Sequence, residues 1–529
     1  MKLDRDTIII PAIIFLLLWF GIGALWGHEI EHGFPYGLGA SDAFQHQARA
    51  ESIKEMGGYA HEAPYIVNGF TDVVGFYPPL LYHLSALLSN VTGLQTYDTI
   101  YFIVFLSAVL AAAAMYLVIK HFNSNAAILG IPLFVFLFSA PFTAAYLWGQ
   151  WPSAASHVFL VAAVWALVVK GRLWWLFSGI FMAAVGMTHT SEMIFLIGFF
   201  SIYGAAKLLM KDWREVKELL ALALTAVVSA GYYLLIFQGT WARFQKYNLF
   251  QVERTTESFP TIMLSHFSWA AIIIAIGAVI ALLAARKLPV AFSAYMFLAG
   301  MTNYVGMSFR AFQTRFFWPV YLAVFFGLGF SAVASLFAKR FRLAISVAAA
   351  LILSVAVAST SQMMGQSQGM MDQSRWAGLQ WLSRNTPEGS TVYFFYGDIY
   401  SQTSMLYNTG RLSTIVNTDD YIKGLMNNTI RERYESMLAS DSGAGFPYKK
   451  GLFSFGFHTG NMTWEQNASI CSKDYFVFDT KTAYSQMSPL VQYNLAIREK
   501  LLMHGEEVYS NSIVSIVKNN LVEGDCLEI

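Results

Sequence analysis

The run Ser41-Asp42-Ala43-Phe44-Gln45-His46-Gln47-Ala48-Arg49-Ala50 sets a carboxylate and an imidazole four residues apart. On a helix that spacing puts Asp42 and His46 on one face, so the imidazole can orient the carboxylate or meet the same ligand. Ser41 or Asp42 also suits the N-cap of such a helix. After a polar loop, Val74-Gly75-Phe76-Tyr77-Pro78-Pro79-Leu80-Leu81-Tyr82-His83-Leu84 carries two prolines that fit a helix only at its start. Other ionisable groups follow: His189 and Glu192 in Thr188-His189-Thr190-Ser191-Glu192, Glu257 with Glu253 nearby, and Arg310 with Arg315 among Phe309, Phe312, Phe316 and Phe317. Arginine grips two phosphate oxygens at once through its planar fork, which lysine cannot do. Each group also has a plain reading. Asp42 can cap an interfacial helix, His46 can brace a carboxylate, His189 and Glu192 can be a structural pair, Glu257 a solvated loop acid, and either arginine can snorkel. The cluster His28, Glu29, Glu31 and His32 raises a metal site, but adjacent side chains diverge and an interfacial turn explains them.

The elements that must position these groups are membrane spans. The chain has 529 residues, 56% hydrophobic, 16% aromatic and only 13% charged, which excludes an ordinary soluble protein. Lys+Arg of 34 against Asp+Glu of 33 leaves +1, so no global field argues for nucleic acid. The first apolar run, 7–26, ends in Leu25-Trp26-Gly27-His28 and reads as an uncleaved anchor with an aromatic interface residue. Further runs at 101–119, 126–147, 153–169, 174–187, 193–209, 219–237, 270–284, 289–304, 316–337 and 343–358 make about eleven spans. The short apolar piece 77–88 decides sidedness. Held at the interface, it leaves Lys120, Lys170, Arg172, Lys207 to Lys217, Arg286-Lys287 and Lys339 to Arg342 on one side with Lys2 and Arg5, and basic short loops face the cytoplasm. The N-terminus is then cytoplasmic. A large first loop (28–99), the turns at 148–152 and 188–192, the loops 238–267 and 305–315, and everything after 359 are external.

Hydropathy falls to soluble values over 359–529, enough for one mixed α/β domain. Trp376, Leu379 and Leu382 at helical spacing predict a helix over 372–384; 391–396, 475–479 and 513–518 read as strands, and Ser488-Pro489 opens a helix reaching about His504. Sequons at Asn427, Asn461 and Asn467 fit an external domain, and the only cysteines, Cys471 and Cys526, permit one disulfide there. The fold class expected is an α-helical polytopic membrane protein, residues 1–358, with a C-terminal extracytoplasmic α/β domain, residues 359–529.

An acid just beyond the first span, a His four residues on, and a closing aromatic-Pro-Pro-Leu-x-Tyr segment resemble the GT-C superfamily of membrane glycosyltransferases, which use polyprenyl-phosphate-linked sugars. The resemblance runs as an order of features over residues 1–330. It implies that Asp42 is catalytic, that Arg315 or Arg310 meets the donor phosphate, and that Glu257 matches a loop acid; His46 beside Asp42, with Tyr77, Gln150, His189 and Glu192 in the external loops, are further candidates to line the site, Gln150 against the plain reading of an interface belt with its two tryptophans. The segment Thr255-Thr256-Glu257-Ser258-Phe259-Pro260 and the junction Trp381-Leu382-Ser383-Arg384-Asn385-Thr386-Pro387 are similar to oligosaccharyltransferase catalytic subunits. Two of their features are missing. Trp148-Gly149-Gln150-Trp151-Pro152-Ser153 lacks the paired metal-holding acids, and Phe394-Phe395-Tyr396-Gly397-Asp398 replaces the sequon-reading Trp-Trp-Asp-Tyr-Gly. The expectation is therefore an inverting transfer needing no cofactor, with a divalent metal as the less favoured case. The partners would be a polyprenyl-phosphate sugar, the bilayer and an acceptor the sequence leaves open, with no nucleic acid. A flippase of lipid-linked saccharide and a non-catalytic scaffold with an external binding domain remain as alternatives.

Overall fold

The computed structural model describes residues 5–29, 32–38, 41–56, 78–147, 149–231, 233, 258–305, 311–337, 371–387, 390–395, 412–413, 474–480, 495 and 498–520. Its helices are α1 (Arg5–Trp26), α2 (Ser41–Met56), α3 (Leu80–Thr92), α4 (Thr96–Phe122), α5 (Ser124–Phe134), α6 (Ala140–Leu147), α7 (Trp151–Val169), α8 (Trp174–Gly186), α9 (Thr190–Leu209) and α10 (Trp213–Ser229). Then come α11 (Phe259–Phe267), α12 (Ala270–Leu282), α13 (Leu288–Ala299), α14 (Ala311–Arg315), α15 (Trp318–Tyr321), α16 (Ala323–Ser335) and α17 (Gln373–Asn385). Local chemistry sets several starts. The Asn123 side chain accepts from the amides of Asn125 and Ala126 at the head of α5, Asp212 does the same for Glu215 in α10, and Pro152 sits in the first turn of α7.

Among the described residues α1, α4, α7 and α9 are long and apolar enough to cross a membrane, and the bent pairs α5/α6 and α11/α12 raise the number to six. The apolar helices α8, α13 and α16 are shorter. Several of the apolar runs are broken by bends. The run 126–147 bends by 61° at extended Ser139, α11 and α12 meet at 118° where Ser268 adopts φ 50, and 316–337 divides into α15 and α16 around Leu322. Hydropathy records that residues are apolar but not where the backbone turns. The run 343–358 lies outside the described residues.

Helix α16 packs between α5 and α12 at backbone contact. A Cβ on Gly327 would lie 2.0 Å from Ala126 O, and one on Gly277 1.6 Å from Phe325 O, so glycine is what lets these helices approach. The bundle has two chemically distinct ends. At one, Lys120 of α4 pairs with Asp6 of α1, Lys170 pairs with Glu215 at 2.7 Å, and the Trp174 indole donates to Glu218. At the other, α2 and α3 lie across the start of α4: Gln47 Nε2 donates to Thr96 Oγ1 (3.1 Å), and Ser85 shares a hydrogen bond with Thr99 (2.8 Å). Helix α3 opens directly after Pro79 and has 13 residues, about 20 Å of helix, too short for a bilayer core of about 30 Å.

The C-terminal region is a sheet of β1 (Thr391–Phe395), β2 (Leu412–Ser413), β3 (Tyr475–Asp479), β4 (Glu506–Ser510) and β5 (Val514–Lys518), in the order β2-β1-β3-β5-β4. Strand β1 runs parallel to β2 and β3, and β5 runs antiparallel to β3 and β4. Helix α17 is pinned to it where Arg375 meets Asp479 (3.0 and 3.1 Å) and Asp372. The sheet's helix also touches the membrane body: Met371 N donates to Leu38 O at 3.3 Å, and Tyr97 meets Trp376 edge-on with ring centroids 5.6 Å apart.

Candidate active site

Asp42 is the second residue of α2, one turn before His46, as the spacing predicts. His46 is 3% exposed, and its Nδ1 shares a 2.7 Å hydrogen bond with the hydroxyl of Tyr82 on α3. Arg49, one turn along α2, brings Nη1 to 3.5 Å from the same Nδ1. A guanidinium only donates, so Arg49 pairs with Nδ1 only in the tautomer that carries the ring proton on Nε2. The imidazole also stacks with Tyr82 and lies against Trp151, with ring centroids 5.7 and 6.3 Å apart.

Trp151 begins α7, and the first two turns of that helix join three neighbours. Gln313, two residues before Arg315, donates through Nε2 to Gln150 Oε1. Ser153 Oγ donates to Glu192 Oε1 at 2.6 Å, and His189 Nδ1 donates to Glu192 Oε2. Glu192 has no exposed surface, so these donors compensate a carboxylate that burial would otherwise penalise heavily. Its place in the first turn of α9 adds the favourable end of the helix dipole. His157 lies 3.9 Å from Glu192 through Nε2, hydrogen-bonds Tyr321 Oη through Nδ1, and stacks on Phe317 at 4.0 Å. The turn between α8 and α9 is tied back to α3 as well, because Leu80 N donates to Met187 O at 2.8 Å.

Arg315 ends α14 and is 8% exposed, which is not the exposed head that snorkelling produces. Its Nε donates to Gly300 O at 2.7 Å, its Nη2 donates to Asn303 Oδ1, and its guanidinium stands 5.6 and 5.7 Å from the Tyr304 and Trp318 rings. His189 and Glu192 sit inward as a buried pair, whereas Gln150 is half-buried beside Gln313. Tyr77, Glu257 and Arg310 lie outside the described residues, as do Cys471, Cys526 and the three sequons. Among the described residues no three His, Cys, Asp or Glu side chains are arranged to hold a metal ion. His28 packs on Trp19 instead, and His32 pairs with Asp98 at 3.2 Å while its Nδ1 donates to Phe34 O at 2.6 Å. The hydrogen bond to Asp98 leads in raising the His32 pKa above its ordinary value, against the opposing effect of burial.

One end of the bundle therefore gathers α2, the heads of α7 and α9, and the Arg315 segment. Solved structures share this architecture. ArnT from Cupriavidus metallidurans bound to undecaprenyl phosphate superposes with a TM-score of 0.62 at 13% identity over 98% of each chain. The oligosaccharyltransferase of Archaeoglobus fulgidus gives 0.57 at 14% identity, over 99% of this chain and 75% of that one. The mycobacterial arabinofuranosyltransferase AftD gives 0.56 at 12% identity, over 99% of this chain and 40% of that longer one. The chain has the GT-C fold. No protein-family model matches its sequence, and no curated protein does. Within this GT-C framework the sequence reading did not single out Tyr82, Arg49, Ser153, Gln313 or Tyr321. Tyr82 stood in the proline segment already quoted. Arg49 and Ser153 also stood in quoted segments, Arg49 one turn from His46, whereas Gln313 and Tyr321 carry no local signal because their partners are distant in sequence.

Proposed function

We propose that this protein is a membrane glycosyltransferase that moves a sugar from a polyprenyl-phosphate donor to an acceptor on the outer face, without a metal and with inversion. The observation that carries the reading is the convergence at one end of a GT-C bundle of the α2 turn bearing Asp42 and His46 with a buried, supported Arg315. Asp42 takes the acceptor hydroxyl's proton as that oxygen bonds to the anomeric carbon, and the sugar–phosphate bond breaks to release polyprenyl phosphate. His46, with its proton on Nε2, donates a hydrogen bond to the carboxylate or the acceptor. Arg315, aided by Arg310, meets the charge that grows on the leaving phosphate. A single displacement inverts the anomeric carbon. The absence of acids from Trp148 to Ser153 supports metal-free chemistry, and ArnT's bound undecaprenyl phosphate supports the donor class. Lys120, Lys170 and Lys207 at the far end support an outward-facing site.

The test is to incubate purified protein with a panel of polyprenyl-phosphate sugars and follow lipid-phosphate release, with and without chelator. Turnover that survives chelation and vanishes in Asp42→Asn is expected, because the amide keeps the carboxylate's size but cannot take the proton. Chelator-sensitive turnover would overturn the metal-free chemistry, and wild-type turnover by Asp42→Asn would remove the base.

A further inference from the structure

The segment 313–321 carries the arginine assigned to the donor phosphate; besides its contacts with α13 and the residues just after it, where Arg315 meets Gly300 and Asn303 and Tyr321 meets Phe292, it is tied to α7. Two attachments are visible. Gln313 reaches Gln150 at the head of α7, and one helical turn apart Phe317 and Tyr321 grip opposite features of His157, its ring face (4.0 Å between centroids, 20° between planes) and its Nδ1. Arg315 lies between the two attachments. His157 is in turn backed by Glu192, whose Oε1 lies 3.9 Å from Nε2 and also accepts from Ser153 on the same helix. All four groups, His157, Glu192, Ser153 and Tyr321, are buried at 2% exposure or less, so none of them can touch a lipid or a sugar without rearrangement.

The same helix head faces α2. Trp151 is within ring contact of His46, and its indole nitrogen is fixed by a 2.6 Å hydrogen bond to Tyr146 O. The first two turns of α7 thus fix the spacing between the Asp42–His46 turn and Arg315, which a displacement reaction needs constant to within a fraction of an ångström. We infer that His157, backed by Glu192, is a positioning residue that sets where Arg315 stands, and that it acts through its bond to Tyr321 and its stack on Phe317 rather than by contact with substrate. This inference rests on the proposed donor site, but the brace itself can be read without any donor.

The test uses purified wild type, His157→Phe, Tyr321→Phe and their double variant, with Arg315→Ala, alone and combined with each single change, as the reference for a lost phosphate contact. His157→Phe keeps an aromatic face for Phe317 while removing Nδ1, and Tyr321→Phe removes the same bond from the other side. The first readout is hydrogen exchange over peptides covering 311–321, in detergent and without ligand. Each single variant should exchange there about tenfold faster, and the double variant should be no faster than the worse single one, as two changes to one bond are non-additive. Exchange at 311–321 unchanged in both singles would overturn the inference.

The second readout is the dissociation constant for polyprenyl phosphate without sugar, followed on any active donor by separate KM and kcat. The expected result is a five- to tenfold weaker affinity and a raised KM, with any fall in kcat no larger than that of Arg315→Ala, and no further loss when either change is added to Arg315→Ala. A fall in kcat alone, or additive losses with Arg315→Ala, would mean the pair acts elsewhere and would also overturn the inference. If exchange rises as expected but wild type binds no polyprenyl phosphate, the brace stands and the donor reading fails.

Discussion

Tyr82→Phe is the sharpest probe of the α2 turn, since it removes one oxygen atom and leaves the ring in place. Tyr82 is fully buried and His46 is 3% exposed, so the 2.7 Å bond between them is made out of reach of bulk water. A buried hydrogen bond of this kind contributes about 0.5–1.5 kcal/mol, and weakening the satisfaction of a buried partner costs about 1–3 kcal/mol. Arg49 still approaches Nδ1 at 3.5 Å, a longer and weaker contact, which places the expected cost near the middle, about 1–2 kcal/mol. If His46 must hold its ring plane and its Nε2 proton for the transfer step, that cost falls on the barrier and slows turnover roughly 5- to 30-fold. The assay is the rate of polyprenyl-phosphate release on the best donor of the panel, paired with a thermal melt. Turnover within about twofold of wild type, accompanied by a lower melting temperature, would refute the reasoning and leave His46 as a structural brace.

Arg315→Ala should weaken polyprenyl-phosphate binding, measured by titration of the purified protein, more than it slows the bound step. Asp479→Ala should destabilise the C-terminal sheet by about 3 kcal/mol, at the low end for a broken buried ion pair because Arg375 keeps Asp372; chemical denaturation read through Trp376 and Trp381 fluorescence measures it. The His32–Asp98 pair carries a pH signature. The folded imidazole's pKa is raised, so its stabilisation is full below the unfolded value of about 6.5 and is lost as pH rises through the folded value. The melting difference between wild type and His32→Gln should therefore shrink from acid to alkaline pH, and a constant difference would count against the pair. For sidedness, an impermeant thiol reagent should label a cysteine placed at Asn461 in intact cells and leave one at Lys170 unlabelled, whereas the reverse pattern would sink the outer-face mechanism.

Periodicity and helix-start chemistry determined by themselves much of what is local. The four-residue spacing of Asp42 and His46 placed them on one turn of α2, Pro78-Pro79 marked the start of α3, and the strand at 475–479 and the helix at 372–384 were readable from alternation and from helical spacing. Strand β4 was not, because Glu506–Ser510 is a largely exposed edge strand with charged residues and no clean apolar face. Bends inside apolar runs were equally silent, since Ser139 and Ser268 change the chain's direction without changing its hydropathy. What only the tertiary structure decided is which polar groups meet. Gln313 is 163 residues from Gln150, Tyr321 is 164 from His157, and Glu192 is 39 from Ser153. A polar side chain in a membrane helix that does not bond its own backbone, as Thr225 does, must find its partner on another element, and no pattern within one segment encodes which one. Packing glycines are likewise a tertiary matter: Gly277 and Gly327 matter because α5, α12 and α16 touch at backbone distance there, which no pattern within one run announces.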